Sequence, residues 1–88
     1  NVARHLNNLA QLLQDTNRFD EAEPLSRKVV EIIVLFAIRT GYEHPHSNTV
    51  FSNYRNLLAK MEQGEEKQQE IIERVIESVK AKFGSQGD

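Results

Sequence analysis

The chain has 88 residues, enough for one small domain built around a single hydrophobic core. A formal charge of −2 removes the concentrated basic face that nucleic-acid binding uses, and no apolar stretch approaches the ~20 residues of a membrane span. Cysteine is absent, which excludes a disulfide framework, a thiol nucleophile and a thiolate metal site. The chain starts at Asn1 and no signal peptide is visible, so we expect an excised domain or the ordered part of a longer protein. The absence of cysteine fits a reducing compartment, and we expect a cytoplasmic location.

The first two predicted helices form a hairpin. Helix 1 runs from about Val2 to Asp15, because apolar residues recur at spacings of three and four: Val2, Leu6, Leu9, Ala10 and Leu13. A polar break at 16–18 follows. Helix 2 is predicted to start at Asp20 as its N-cap, with Glu23 completing a capping box, and to stop at about Thr40 before Gly41.

The next two predicted helices form a second hairpin. Helix 3 runs from about Ser47, its predicted cap, to Met61, and a break at Gln63 and Gly64 follows. Helix 4 runs from about Glu65 to Phe83, with a narrow apolar stripe over a charged back: Ile71, Ile72, Val75, Ile76, Val79 and Phe83. Residues 84–88 are expected to fray. No segment alternates as a strand does, so the fold class is all-α.

The segment 6–13 recurs at 51–58, 45 positions later (53 − 8). Asn8, Leu12 and Leu13 return as Asn53, Leu57 and Leu58, and the apolar Leu6 and Leu9 return as Phe51 and Tyr54. A repeat of this length is typical of stacked helical hairpins, which commonly serve as binding surfaces. We therefore expect a single domain, 1–88, made of repeat 1 at about 2–45 and a degenerate terminal repeat at about 46–83.

Three short motifs resemble the tetratricopeptide repeat in its kinesin-light-chain-like form: L-N-N-L-A at 6–10, E-A-E-P-L at 21–25, and G-x-x-H-P at 41–45. The resemblance implies antiparallel helical hairpins of an α-α superhelix, about two repeats or four helices, and a non-catalytic protein-interaction module. The second repeat lacks the E-A-E-x-L motif, and Arg55 replaces the small Ala10. Helix 4 is accordingly predicted to be a terminal cap.

In this family the first helix of each pair lines a concave groove, so the resemblance implies that the polar faces of helices 1 and 3 bind a peptide or a partner helix. The predicted groove residues are Arg4, Asn7, Asn8, Gln11, Asn53 and Asn56; Gln14, Thr49, Ser52 and Lys60 share the two faces. Asn8 and Asn53 rank first because they recur in register, and amides offer both donors and acceptors to a peptide backbone. The alternative is a plain solvated face.

Helix 2 is apolar at every position from Val29 to Ile38 except Glu31. A helix that is apolar on all sides is buried on all sides, and four helices do not easily surround one of their own number. The sequence therefore predicts a homodimer, and an exchange of helices between the two copies is one way to form it. The predicted oligomer interface consists of Val30, Val34, Leu35, Ala37 and Ile38. The alternative is an internal helix in a compact monomer.

The sequence contains no pattern that indicates a catalytic site or a metal site. His44, His46 and His5 do not stand at a metal-site spacing, and the first two belong to the family's connection. The glutamates of helix 4 are interpreted as a solvated face. We predict no enzyme activity, no metal and no cofactor. The leading hypothesis is a protein-interaction module, and the alternative is a homo-oligomerisation domain that uses helix 2.

Overall fold

The computed structural model describes residues 2–84 and confirms the all-α fold class. Four α-helices and one π-helical turn follow each other along the described chain: α1 Val2–Asp15, α2 Phe19–Thr40, α3 Ser47–Lys60, α4 Glu65–Val79, and the turn Lys80–Gly84. The predicted end of helix 4 at Phe83 is therefore wrong, because the last turn widens after Val79. Residues 85–88 of the predicted tail lie outside the described residues.

The helices α1 and α3 end in the same backbone turn. Asn17 and Glu62, which are 45 positions apart like the sequence repeat, both adopt the left-handed conformation, with φ of 61° and 65°. In each turn the next N–H donates to the carbonyl five residues earlier: Arg18 to Leu13 at 2.8 Å and Gln63 to Leu58 at 3.0 Å. These bonds satisfy carbonyls at the helix end, as in a Schellman motif. The backbone thus repeats in the register of the sequence.

The register lengthens by one residue where the second helix of each pair begins. α2 starts at Phe19 and α4 at Glu65, 46 positions apart (65 − 19). The first helical N–H bonds shift in the same way, since Ala22 donates to Arg18 and Gln68 donates to Gly64. One extra residue in the second connection displaces α4 by one position relative to the 45-residue repeat of α1 and α3.

The helix caps differ from the sequence prediction at two starts. The N-cap of α2 is Arg18, without a side-chain cap bond, so the capping box at Asp20 and Glu23 is wrong. Arg18 instead binds Glu21 of the first turn, with Nη2 and Oε1 2.8 Å apart. Ser47 is a buried residue of α3, not its cap. The predicted stop at Gly41 is confirmed: its φ is 77°, and its N–H donates to Ala37 at 2.9 Å.

The core forms around α2, because α1, α3 and α4 all pack on it. α4 packs more extensively on α2 than on α3. The core cluster takes buried residues from three helices: Ala22, Val29, Val30 and Ile33 from α2, Val50, Tyr54, Leu57 and Leu58 from α3, and Ile72 and Val75 from α4. Three neighbours cover part of α2, whereas Leu35, Ala37 and Ile38 stay half-buried. The predicted homodimer therefore stays a prediction.

Candidate peptide-binding groove

The helices α1 and α3 lie side by side on α2 and run in the same direction. Near their N-terminal ends, Arg4 of α1 and Thr49 of α3 line one common cavity. Near their C-terminal ends, Lys60 Nζ donates to Gln14 Oε1 at 3.5 Å. The two helices therefore come near each other at both ends, and residues of α2 line the cavity between their N-terminal halves.

A cavity of about 470 Å³ lies between the N-terminal halves of α1 and α3. Its floor and walls are apolar, formed by Val29 and Ile33 of α2 with Ala3 and Val50. Its rim is polar: Arg4, Asn7, His44, His46 and Thr49. Apolar depth under a few polar groups is the usual composition of a ligand site, and the volume falls in the usual range. The cavity can hold an apolar side chain while the rim binds polar groups beside it.

The predicted groove residues divide into two groups. Arg4 and Asn7 line the cavity, whereas Asn8 and Gln11 are exposed outside it. Of the polar faces predicted for the groove, α3 contributes Thr49 to the cavity lining, beside the apolar Val50. The half-buried Asn53 and the exposed Asn56 lie outside the lining. The six predicted groove residues therefore do not form one cluster.

The way α1 packs explains this division. α1 meets α2 through Ala3, Leu6 and Leu13 along one face. Asn7 lies four positions from Ala3, and Gln14 lies four positions from the buried Ala10, so both share that side of the helix and face α3. Gln14 is consequently buried, so its placement on an outer polar face is wrong. Asn8 and Gln11 lie further round the helix.

The two histidines of the rim were missed as site residues because the family's connection already accounted for the His-Pro pair. The backbone N–H of His46 donates to His44 Nδ1 at 3.1 Å, which makes Nδ1 the acceptor and leaves the ring proton of neutral His44 on Nε2. The His44 ring also meets Phe36 edge-on, with centroids 4.9 Å apart. Both contacts fix the connection beside the groove. Over residues 2–84, no group of three or more His, Asp or Glu is placed to hold a metal.

A buried hydrogen bond joins the two helices that form the floor and one wall. Tyr54 is fully buried, and its hydroxyl donates to Glu23 Oε2 at 2.6 Å. Burial, and then the bond to the Glu23 carboxylate, raise the pKa of Tyr54 well above its ordinary value. Arg27 Nη2 lies 3.9 Å from the other oxygen of Glu23. The bond links α3 to α2, two of the helices that line the cavity.

The predicted oligomer interface on α2 is reduced to four residues. Val30 is 0% exposed, because α2 turns it into the core, so it offers no surface to a partner and its assignment is corrected. Val34, Leu35, Ala37 and Ile38 remain half-buried. Three of these line a second depression of about 350 Å³, together with Phe51 and Ile76 of the neighbouring helices.

Comparison with protein families identifies the first hairpin. The model of a family described as Tetratricopeptide repeat matches residues 2–34, which cover α1 and most of α2. Residues 2–34 are therefore similar to a tetratricopeptide repeat. The matching family is a general one, so the kinesin-light-chain-like form stays a prediction. No curated protein and no solved structure gives a significant match.

Tetratricopeptide repeats generally mediate protein–protein interaction and act as non-catalytic scaffolds. The cavity lies between α3 and α1, the first helix of the matched segment. Within residues 2–84 no helix combines the length and the apolar character needed to cross a bilayer.

Proposed function

We propose that this chain is a non-catalytic protein-interaction module that holds a peptide or partner helix in the groove between α1 and α3. The observation that carries the proposal is the cavity of about 470 Å³, whose apolar floor lies under a polar rim. The tetratricopeptide repeat over residues 2–34 supports the same class of function. The absence of cysteine is compatible with the reducing cytoplasm, the location that we propose.

The lining indicates which ligand fits best. Val29, Ile33 and Val50 form a depression suited to one apolar side chain. Asn7 offers two donors and an acceptor, which suits the backbone of an extended segment. None of the described residues that line the cavity is acidic. We therefore favour an extended peptide with an apolar anchor and a neutral or acidic neighbour.

The probe is a peptide that binds the full chain and is selected from a random display library. Asn7→Ala is expected to raise the Kd of a selected peptide about two- to tenfold, since one hydrogen bond contributes about 0.5–1.5 kcal/mol. Asn48→Ala is the matched control, because Asn48 is exposed on α3 outside the cavity lining. Equal Kd values for the two variants, or selection of no peptide, would contradict a groove at this place.

A second candidate function is homo-oligomerisation through the α2 flank, Val34, Leu35, Ala37 and Ile38. It is favoured by the half-buried state of these apolar residues and by the depression beside them. Light scattering at micromolar concentration measures the oligomeric state. A dimer that Leu35→Glu dissociates would support this function, including its helix-exchanged version; a monomer for the unmodified chain would exclude it.

A further inference from the structure

His44 lies in the connection between α2 and α3 and borders two depressions at once. It lines the cavity of about 470 Å³ between α1 and α3, and it also lines the depression of about 350 Å³ beside the α2 flank. Apart from Ile33 of α2, no other described residue is common to both linings. The position of this one half-buried ring therefore shapes both surfaces.

Three contacts hold His44 in this place. Its Nδ1 accepts the backbone N–H of His46 at 3.1 Å, and its carbonyl accepts the N–H of Ser47 at 3.0 Å. The ring also meets Phe36 of α2, with centroids 4.9 Å apart. The end of α2 and the start of α3 are thus joined through this one residue.

The bond at Nδ1 exists only while the His44 ring is neutral. A neutral imidazole has one nitrogen that accepts a hydrogen bond, whereas an imidazolium has two donors and no acceptor. A proton taken up from water at Nδ1 therefore places one donor against another, the N–H of His46. Histidine side chains are the ones that ordinarily change charge between about pH 5 and about pH 8, the range in which such a bond can respond to pH.

The charged and titratable groups around the ring offer little to replace the lost bond. Arg4 of α1 lines the same cavity and Lys80, after α4, lines the same depression, but both side chains are donors only. The ring of His46 lies 5.6 Å from that of His44 between centroids, and protonation of both would place two positive rings side by side. Glu43 is the one carboxylate among the described residues of the two linings, and it is exposed. α2 and α3 contribute no charged side chain to either lining, so a charged, half-buried ring is better stabilised by water than by its place in the connection.

We infer that His44 is a pH-sensitive switch in the connection 41–46. The neutral ring closes the turn ahead of α3 and holds the rim of the cavity. The protonated ring releases the N–H of His46 and moves toward solvent, which loosens the first turn of α3 and opens the wall between the two depressions. The switch belongs to the chain alone and does not depend on the proposed peptide.

Hydrogen exchange measured by NMR on the full chain, without peptide, tests the switch. The exchange rates of the His46 and Ser47 amides are compared with those of an unstructured peptide at the same pH, which gives a protection factor for each amide. We expect both factors to fall about fivefold or more from about pH 8 to about pH 5, because the bond no longer closes the turn. At about pH 8, a scalar coupling across the hydrogen bond should join the amide nitrogen of His46 to Nδ1 of His44.

His44→Asn is the matched variant. The asparagine side chain can accept the N–H of the residue two positions on, which reproduces the bond, and it does not titrate. Its protection factors at residues 46 and 47 should be equal at the two pH values. His5→Asn is the control, because His5 is exposed on α1, and it should keep the pH dependence of the wild type.

Protection that stays unchanged in the wild type down to about pH 5 would overturn the inference. So would a fall of the same size in His44→Asn, since another group would then be responsible, and so would the absence of the coupling at about pH 8. If His44→Asn folds poorly, the coupling and the protection factors of the wild type still decide between the two results.

Discussion

Tyr54 combines complete burial with a charged hydrogen-bond acceptor, and both features depend on α2. A buried tyrosine hydroxyl generally needs a partner, and Glu23 supplies it across 31 positions of sequence. The sequence placed Tyr54 on an apolar stripe and Glu23 in a capping box. Only the packing of α3 on α2 brings them together, so their pairing could not be predicted from local patterns.

Loss of this bond should destabilise the chain. Tyr54→Phe is expected to lower the free energy of unfolding by about 1–2 kcal/mol, because hydrogen bonds to charged groups contribute somewhat more than neutral ones. Urea unfolding followed by circular dichroism measures the change. Tyr42→Phe is the control, since Tyr42 is 76% exposed and its hydroxyl has no such role. Similar losses for the two variants would show that the bond contributes little.

The raised pKa of Tyr54 predicts a loss of stability in alkali. In the unfolded chain this tyrosine ionises near pH ~10, whereas in the folded chain it keeps its proton to higher pH. Its contribution is therefore complete below about pH 10 and is lost as the pH rises from there through the folded pKa. The difference in unfolding free energy between the wild type and Tyr54→Phe should shrink over this range. A constant difference would contradict the shift.

Glu62 occupies a backbone conformation that suits glycine. Its φ of 65° is the counterpart of the φ of 61° at Asn17, yet Glu tolerates this region less well than Asn. Glu62→Gly is expected to raise the free energy of unfolding by about 0.5–1 kcal/mol. Gln63→Gly, one residue further on, is the control and should lower it. A loss of stability with Glu62→Gly would show that the side chain itself matters.

At the scale of the elements, the sequence did not predict that α1, α3 and α4 all pack on α2. The apolar composition of Val29–Ile38 predicted that more than one side of this helix is buried. It did not indicate whether helices of the same chain or of a second copy bury it. That assignment depends on α4, which crosses back onto α2 instead of packing mainly on α3. Local periodicity carries no information about which helix a stripe meets. The helix ends, in contrast, were largely predictable where a glycine such as Gly41 marks them.

The two sides of α2 should respond differently to truncation. Val30→Ala is expected to lower the free energy of unfolding by about 1–3 kcal/mol, because it removes methyl groups from a closed core. Leu35→Ala removes a larger group from a half-buried position and should cost less than half as much. Urea midpoints of the two variants at low concentration give the comparison. A larger loss for Leu35→Ala would show that the flank is covered, as in an oligomer.

At the scale of the whole molecule, the sequence predicted the four helices and their pairing register better than it predicted the groove. The motifs at 6–10 and 21–25 lie within the segment that matches the tetratricopeptide-repeat family, and α1 begins and ends where predicted. The groove was harder to predict than the helices, because its lining depends on how two helices are oriented relative to each other. Asn8 and Asn53 recur in sequence, yet rotation of α1 on α2 places Asn7, with Thr49 and His46, at the cavity.

The central claim is that the groove between α1 and α3 binds a peptide, and an amide-detected NMR titration tests it most directly. A selected peptide is added to the labelled chain, and the shift of every backbone amide is followed. We predict the largest changes at Asn7, His46 and Thr49 around the cavity, and little change along the exposed face of α4. Changes concentrated on Val34–Ile38, with the cavity residues unmoved, would contradict the account.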